Sequence, residues 1–215
     1  MNALPRLHFV TDDAVLADRA FPDVAERVLE CCGRSAALHV RGHATSGARM
    51  HAVAQRLQAA ALRTGAWLLV NDRLDIARAV RANGVQLGAQ SLAVADARAL
   101  LGAGARIGRS VHGAAEALEA EADGADFVLL GTIFASASHM GRAGAGVGLV
   151  QDTVGRTTLP VLAIGGITNA RVADVAAAGA YGVAVLGGVW RDDDPVRAAA
   201  AYAGTVNSVW PMYRT

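Results

Sequence analysis

The chain has 215 residues, 53% of them hydrophobic, and its 20 basic and 19 acidic residues leave a net charge of +1. With no basic run and no aromatic–arginine platform, nucleic acid is not an expected partner. No apolar run approaches the ~20 residues that span a bilayer, the N-terminus lacks a signal-peptide core, and the adjacent Cys31 and Cys32 offer neither a disulfide framework nor a metal set. A soluble, cytoplasmic protein is expected.

In chain order, short β-rich runs alternate with longer alanine-rich stretches. A strand is predicted over 7–11 and a helix over 22–33, then a strand over 36–41 and a helix over 47–64. The third strand (66–70) runs at once into a helix (72–82), and the fourth (84–87) is followed by a helix over 93–101. A fifth strand (105–110) precedes a helix over 114–123. After the sixth strand (127–130) comes a long loop and a helix over 147–155. The seventh strand (160–164) leads to a helix over 169–178, and the eighth (182–186) to a closing helix over 195–206.

Strands alternating with helices imply a parallel sheet with right-handed crossovers, and eight such units close a barrel. The prediction is a single-domain (β/α)8 TIM barrel over residues 1–215. A doubly wound open sheet competes, but its phosphate loop belongs near the first strand, where nothing glycine-rich stands. In a barrel the chemistry gathers in the loops at the C-terminal ends of the strands. The segment Ala163-Ile164-Gly165-Gly166-Ile167-Thr168 leaves strand seven, and Val185-Leu186-Gly187-Gly188-Val189 leaves strand eight. Paired glycines let backbone approach a ligand, free N–H groups at a helix start attract anions, and these two strand ends are the usual phosphate position of the fold. Gly165, Gly166, Leu186, Gly187 and Gly188 are therefore the phosphate-binding candidates. They point to a small phosphorylated ligand.

An ordered set of motifs narrows this further. Asn71-Asp72-Arg73, Gly84-Val85-Gln86-Leu87-Gly88, Ile107-Gly108-Arg109-Ser110-Val111-His112, Gly124-Ala125-Asp126-Phe127-Val128, Gly131-Thr132-Ile133-Phe134 and Ala163-Ile164-Gly165-Gly166-Ile167 follow one another. Together they resemble the superfamily of thiamine phosphate synthase and the TenI-like thiazole tautomerases. The resemblance implies a barrel that binds a thiazole phosphate. In the synthase a pyrimidine diphosphate is ionised with Mg²⁺ help and the thiazole nitrogen traps the cation. In the tautomerase a carboxythiazole phosphate isomerises to its aromatic form without metal.

The synthase pattern implies one Asp after strand three and another after strand four. Asp72 matches the first, but Gly88-Ala89-Gln90-Ser91 stands where the family reads Gly-Gln-Glu-Asp. A family Lys is replaced in Arg41-Gly42-His43, and another in Ala135-Ser136-Ala137-Ser138-His139. His112 ends strand five on the face of Gly108 and Ser110, and Gly-Arg-Ser-Val-His resembles the tautomerase stretch that carries the catalytic His. Its reference pKa near 6.5 suits moving a proton both ways. The chain is thus read as closer to the tautomerase branch: an isomerase with His112 as acid–base catalyst and no cofactor. The alternatives are a synthase, with Mg²⁺ on Asp72, and a non-catalytic thiazole or thiamine phosphate binder.

Arg41, Asn71, Asp72, Gln86, Ser110, Thr132, Ser136 and Ser138 are the candidate substrate contacts. Arg41 suits a forked contact to an anion or a rim salt bridge, and Asp72 suits ligand orientation or a helix cap. His39, two residues below Arg41, reads as a satisfied core polar residue, and His43 and His139 as solvated loop histidines. A homo-oligomer is compatible with all of this.

Overall fold

The strands are short apolar runs, mostly buried, because in a parallel barrel one face meets the lumen and the other meets helices. In the computed structural model, which describes residues 3–135 and 144–210, they are β1 (Leu7–Val10), β2 (Ala36–Val40), β3 (Trp67–Asn71), β4 (Gly84–Leu87), β5 (Arg106–Val111), β6 (Phe127–Gly131), β7 (Val161–Ile164) and β8 (Gly182–Val185). Each runs parallel to the next, and β8 pairs with β1, so the sheet closes into the expected (β/α)8 barrel. The long helices are α2 (Phe21–Cys32), α3 (Gly47–Thr64), α5 (Val94–Leu101), α6 (Ala114–Ala122), α7 (Val147–Val154) and α10 (Pro195–Val209). Shorter ones are α1 (Asp13–Ala17), α4 (Leu74–Val80), α8 (Val172–Ala177) and α9 (Gly187–Trp190).

The predicted elements are present with ends moved by a few residues. Residues Asn169–Arg171, read as the start of a helix, form a 3-10 turn before α8. Two helices had not been foreseen. α1 starts where the Asp12 carboxylate accepts the Val15 N–H at 2.9 Å, a side-chain cap on a helix too short to leave a periodic signature. α9 is a single turn carried by the second glycine pair. No helix among the described residues is long and apolar enough to cross a membrane.

Alternation along the strands splits the core in two. Leu7, Phe9, Leu38, Val40, Leu68 and Val70 pack outward under the helices. Val10, Ala37, Trp67, Leu69, Phe127, Leu129, Leu162 and Ala184 pack inward. Above and among the inward set lie buried polar side chains on neighbouring strands, His8, His39, Asn71 and Gln86, which bring the core up to the site.

One charged clasp locks β5 to β6. Asp126 Oδ2 accepts from Arg98 at 2.6 Å and from the Ile107 N–H at 2.8 Å, and Oδ1 accepts from Arg106 at 2.8 Å. Burial alone would raise the Asp126 pKa, but the Ile107 N–H and the two guanidinium groups outweigh it and hold the carboxyl below its ordinary value. Stability from this group is therefore fully present above the unfolded carboxylate pKa and drains away as pH falls through the lower folded value. Asp126→Asn is expected to cost about 1–3 kcal/mol at pH 7. In urea melts, the gap between variant and parent should close as the pH is lowered. A gap that stays constant down to pH 3 would remove the charge from the explanation.

Candidate active site

At the C-terminal end of β3 the chain turns sharply. Asp72 adopts φ +60°, a left-handed conformation that Asp tolerates better than most residues, and its N–H donates to Gln86 O at 3.0 Å. This turn aims the carboxylate across to the loop after β4. There Oδ1 accepts the Gly88 N–H at 2.9 Å and the Ser91 hydroxyl, and the Gly88 N–H is shared with Ser91 Oγ at 2.9 Å. Arg109 braces the same loop by donating to Gly88 O at 2.8 Å. The capping alternative for Asp72 fails, because α4 starts from Arg73 with no side-chain cap. Asp72 Oδ2 has no hydrogen bond among the described residues.

Below this corner Gln86 donates Nε2–H to Ser110 Oγ at 3.0 Å, so both candidates reach the lumen. Gln86 Oε1 lies over Gly108, where a Cβ would collide with it and with the Phe127 ring. Gln86 Oε1 is buried without a hydrogen-bond partner. His39 is in the core, as read: its Nε2 lies 2.8 Å from His8 Nδ1, and its side chain hydrogen-bonds that of Asn71.

His112 stands exposed just beyond β5. Its Nδ1 is 2.6 Å from Gly131 O, and a carbonyl only accepts, so Nδ1 carries a hydrogen and Nε2 is the lone-pair nitrogen whenever the ring is neutral. The Glu116 carboxylate accepts the His112 N–H at 2.9 Å. Thr132 follows β6, with its methyl group where a Cβ on Gly165 would fall, at 2.5 Å. Arg41 makes no ion pair among the described residues; its guanidinium donates to His43 Nε2 at 2.6 Å. Behind it Asp13 accepts the N–H groups of His43, Ala44 and Thr45 at 3.0, 2.9 and 2.7 Å, which shapes the loop after β2. Ser136, Ser138 and His139 lie outside the described residues.

The glycine pairs do more than turn. Gly165 and Gly166 have φ +101° and +60°. A Cβ at Gly166 would lie 2.5 Å from Ala135 O and 2.7 Å from Phe134 O, so the loops after β6 and β7 touch backbone to backbone. Arg171 stacks on Phe134, 4.4 Å from the ring centroid, and donates to Gly166 O at 2.8 Å. Leu186 caps the single turn of α9, whose first N–H groups belong to Gly187 and Gly188. Tyr202 of α10 joins the two loops: its hydroxyl donates to Ile167 O at 3.0 Å and blocks the space beside Gly188. No sequence pattern singles out Tyr202, because its partner is 35 residues away.

With this geometry in place, comparison with known proteins decides the family. Residues 7–189 match the family model described as thiamine monophosphate synthase. The chain belongs to the thiamine monophosphate synthase family. It is 40% identical over 195 residues to a thiamine-phosphate synthase of Methanoculleus marisnigri, covering 90% of this chain and 91% of that one. A thiamine-phosphate synthase of Salinispora arenicola is 38% identical over 207 residues, covering 94% and 97%. The thiamine phosphate pyrophosphorylase structure from Pyrococcus furiosus superposes with a TM-score of 0.82 at 27% identity, over 95% and 96% of the two chains.

These relatives correct the branch drawn from the sequence. The tautomerase reading, and with it an isomerase using His112, is overturned by relatives over 90% or more of the chain that are named as synthases. The reading had counted His43, Ser91 and His139 as lost charges. It missed that Ser91, in place of a carboxylate, still hydrogen-bonds Asp72.

Proposed function

We propose that this protein is a thiamine phosphate synthase, a transferase that joins a pyrimidine diphosphate to a thiazole phosphate. The observation that carries the reading is the Asp72 corner at the barrel mouth, where one carboxylate oxygen is pinned by Gly88 and Ser91 and the other makes no hydrogen bond among the described residues. Mg²⁺ commonly uses one or two carboxylates together with substrate phosphates. The Asp72 carboxylate and the Ser91 hydroxyl hydrogen-bonded to it are oxygen donors of the kind Mg²⁺ prefers, and their small number fits an ion shared with a diphosphate. Asp72 would hold it, with the Ser91 hydroxyl beside it. A bound Mg²⁺ would supply positive charge to the departing diphosphate.

The chain's own residues perform the rest. The C–O bond between the pyrimidine methylene and the diphosphate breaks and its electrons leave with diphosphate; the thiazole nitrogen lone pair then forms the new C–N bond. Gly165, Gly166 and the N–H groups of Gly187 and Gly188 would hold the thiazole's phosphate, as helix starts and glycine turns favour anions. Arg41, which makes no ion pair among the described residues and donates to His43 Nε2, would offer a cation to the diphosphate. Asn71, Gln86, Ser110 and Thr132 would line the organic part of the ligands, and the His112 Nε2 lone pair would accept a hydrogen bond there.

Purified protein given pyrimidine diphosphate, aromatic thiazole phosphate and Mg²⁺ should form thiamine phosphate, and excess chelator should stop it. Thiazole phosphate binding without any product under these conditions would sink the synthase reading and leave a non-catalytic binder.

A further inference from the structure

Helix α10 packs against both the 3-10 turn that follows β7 and α9, the single turn that follows β8. Its buried stripe is Ala198, Ala199, Tyr202, Ala203 and Val206. The alanines let the helix come close, and Tyr202 is the one member of the stripe with a polar side-chain atom. Its hydroxyl donates to Ile167 O at 3.0 Å, one residue past Gly166. The same oxygen occupies the place that a Cβ on Gly188 would take, and the ring carbon bearing it lies 3.2 Å from that place. Gly188 is not at positive φ, so its backbone does not call for glycine; the Tyr202 hydroxyl does. Burial raises the pKa of this phenol, against the lowering effect of a backbone hydrogen bond from Asn169, and the hydroxyl keeps its hydrogen near neutrality.

One rigid side chain therefore touches both glycine turns, by a hydrogen bond on one side and by contact on the other. Each turn is also held by a partner of its own. Arg171 donates to Gly166 O at 2.8 Å, and Trp190 of α9 donates to Val10 O at 3.0 Å. Tyr202 adds what these anchors do not, a fixed distance between the turns. A phosphate group is gripped by several N–H donors at once, each at about 2.7–2.9 Å from an oxygen. Donors shared between two loops grip it only at one separation, and displacements of about 1 Å can cost 10²-fold. An alcohol makes no such demand. We infer that Tyr202 is a positioning residue that sets the spacing of the two glycine turns and so selects a phosphate ester over its parent alcohol, a role that rests on the phosphate seat proposed above.

The test is calorimetric titration of the full chain with the aromatic thiazole phosphate and, separately, with the unphosphorylated thiazole alcohol. The readout is the ratio of the two affinities, which needs no turnover. Wild type should prefer the phosphate ester. Tyr202→Phe keeps the ring and loses the hydroxyl, and the ratio should fall about 10-fold while affinity for the alcohol stays within about twofold. Gly188→Ala puts a methyl group where the hydroxyl stands and should lower the ratio similarly. In the double variant that methyl enters vacated space, so the ratio should fall no further than in Tyr202→Phe alone, a non-additivity that reports direct contact. A merely structural tyrosine would lower the melting temperature and leave the ratio unchanged, and that result in Tyr202→Phe overturns the inference. If Tyr202→Phe does not fold, a wild-type ratio in Gly188→Ala overturns it instead. Additive losses in the double variant overturn the spacer role, and a wild type without preference for the ester removes phosphate from these turns and the inference with it. Thiamine phosphate synthesis is measured alongside. Its absence, with the ratio falling as expected, counts against the synthase reading alone.

Discussion

Asp72→Asn should reduce thiamine phosphate synthesis by about 10²- to 10³-fold, the usual loss when one preorganised charge on a leaving group is removed. The substitution keeps the shape of the side chain and an oxygen for the Gly88 N–H, 2.9 Å from Oδ1 in the parent, so the fold should persist. What disappears is the negative charge that would share Mg²⁺ with diphosphate. The Mg²⁺ concentration giving half-maximal rate should rise along with the loss in kcat. Ser91→Asp is the reciprocal variant. Ser91 Oγ hydrogen-bonds Asp72 Oδ1, so a second carboxylate there would repel the first without metal and lower the melting temperature. Adding Mg²⁺ should restore it, because a ligand that binds only the folded state stabilises it, and half-saturation should fall below that of the parent. If Asp72→Asn keeps full activity with an unchanged Mg²⁺ requirement, the Asp72 corner is not the metal site.

Gly166→Val should raise the KM for thiazole phosphate by at least about 100-fold, with a smaller change in the KM for the pyrimidine substrate. Two effects act together. The backbone is at φ +60°, where a β-branched residue is strained, and its Cβ would fall 2.5 Å from Ala135 O and 2.7 Å from Phe134 O. Relief requires the loops after β6 and β7 to part, which would draw Gly166 O from Arg171 and move the N–H groups proposed to hold phosphate. Displacements of about 1 Å in a positioning element can cost 10²-fold. Thermal melts would separate the local effect from unfolding. A folded variant with unchanged KM for thiazole phosphate would move the phosphate site away from this loop.

Most of the scaffold was legible before any coordinates. The short β-rich runs and the alanine-rich stretches locate all eight strands and their main helices, because burial on both faces of a parallel strand leaves a compositional trace. The paired glycines after β7 and β8 were legible as well, since only glycine tolerates Gly165 at φ +101° with the Thr132 methyl in the place of its side chain. The short helices α1 and α9 were not, as five and four residues are too few for a helical period to register.

The branch was misread for a related reason. Composition at Ser91 reports a missing charge, whereas the hydrogen bond from Ser91 to Asp72 exists only because β3 and β4 lie side by side. By itself the sequence determined the barrel, its glycine loops and its family, since these depend on local periodicity, backbone freedom and the order of motifs along the chain. Only the tertiary structure decided that Asp72 turns toward Ser91 rather than capping its own helix, that Tyr202 ties the glycine loops together, and that His8 and His39 form one buried pair. Each of those contacts joins residues 19 to 35 positions apart, and nothing in a linear pattern specifies which distant polar atoms closure of the sheet will bring within hydrogen-bonding reach.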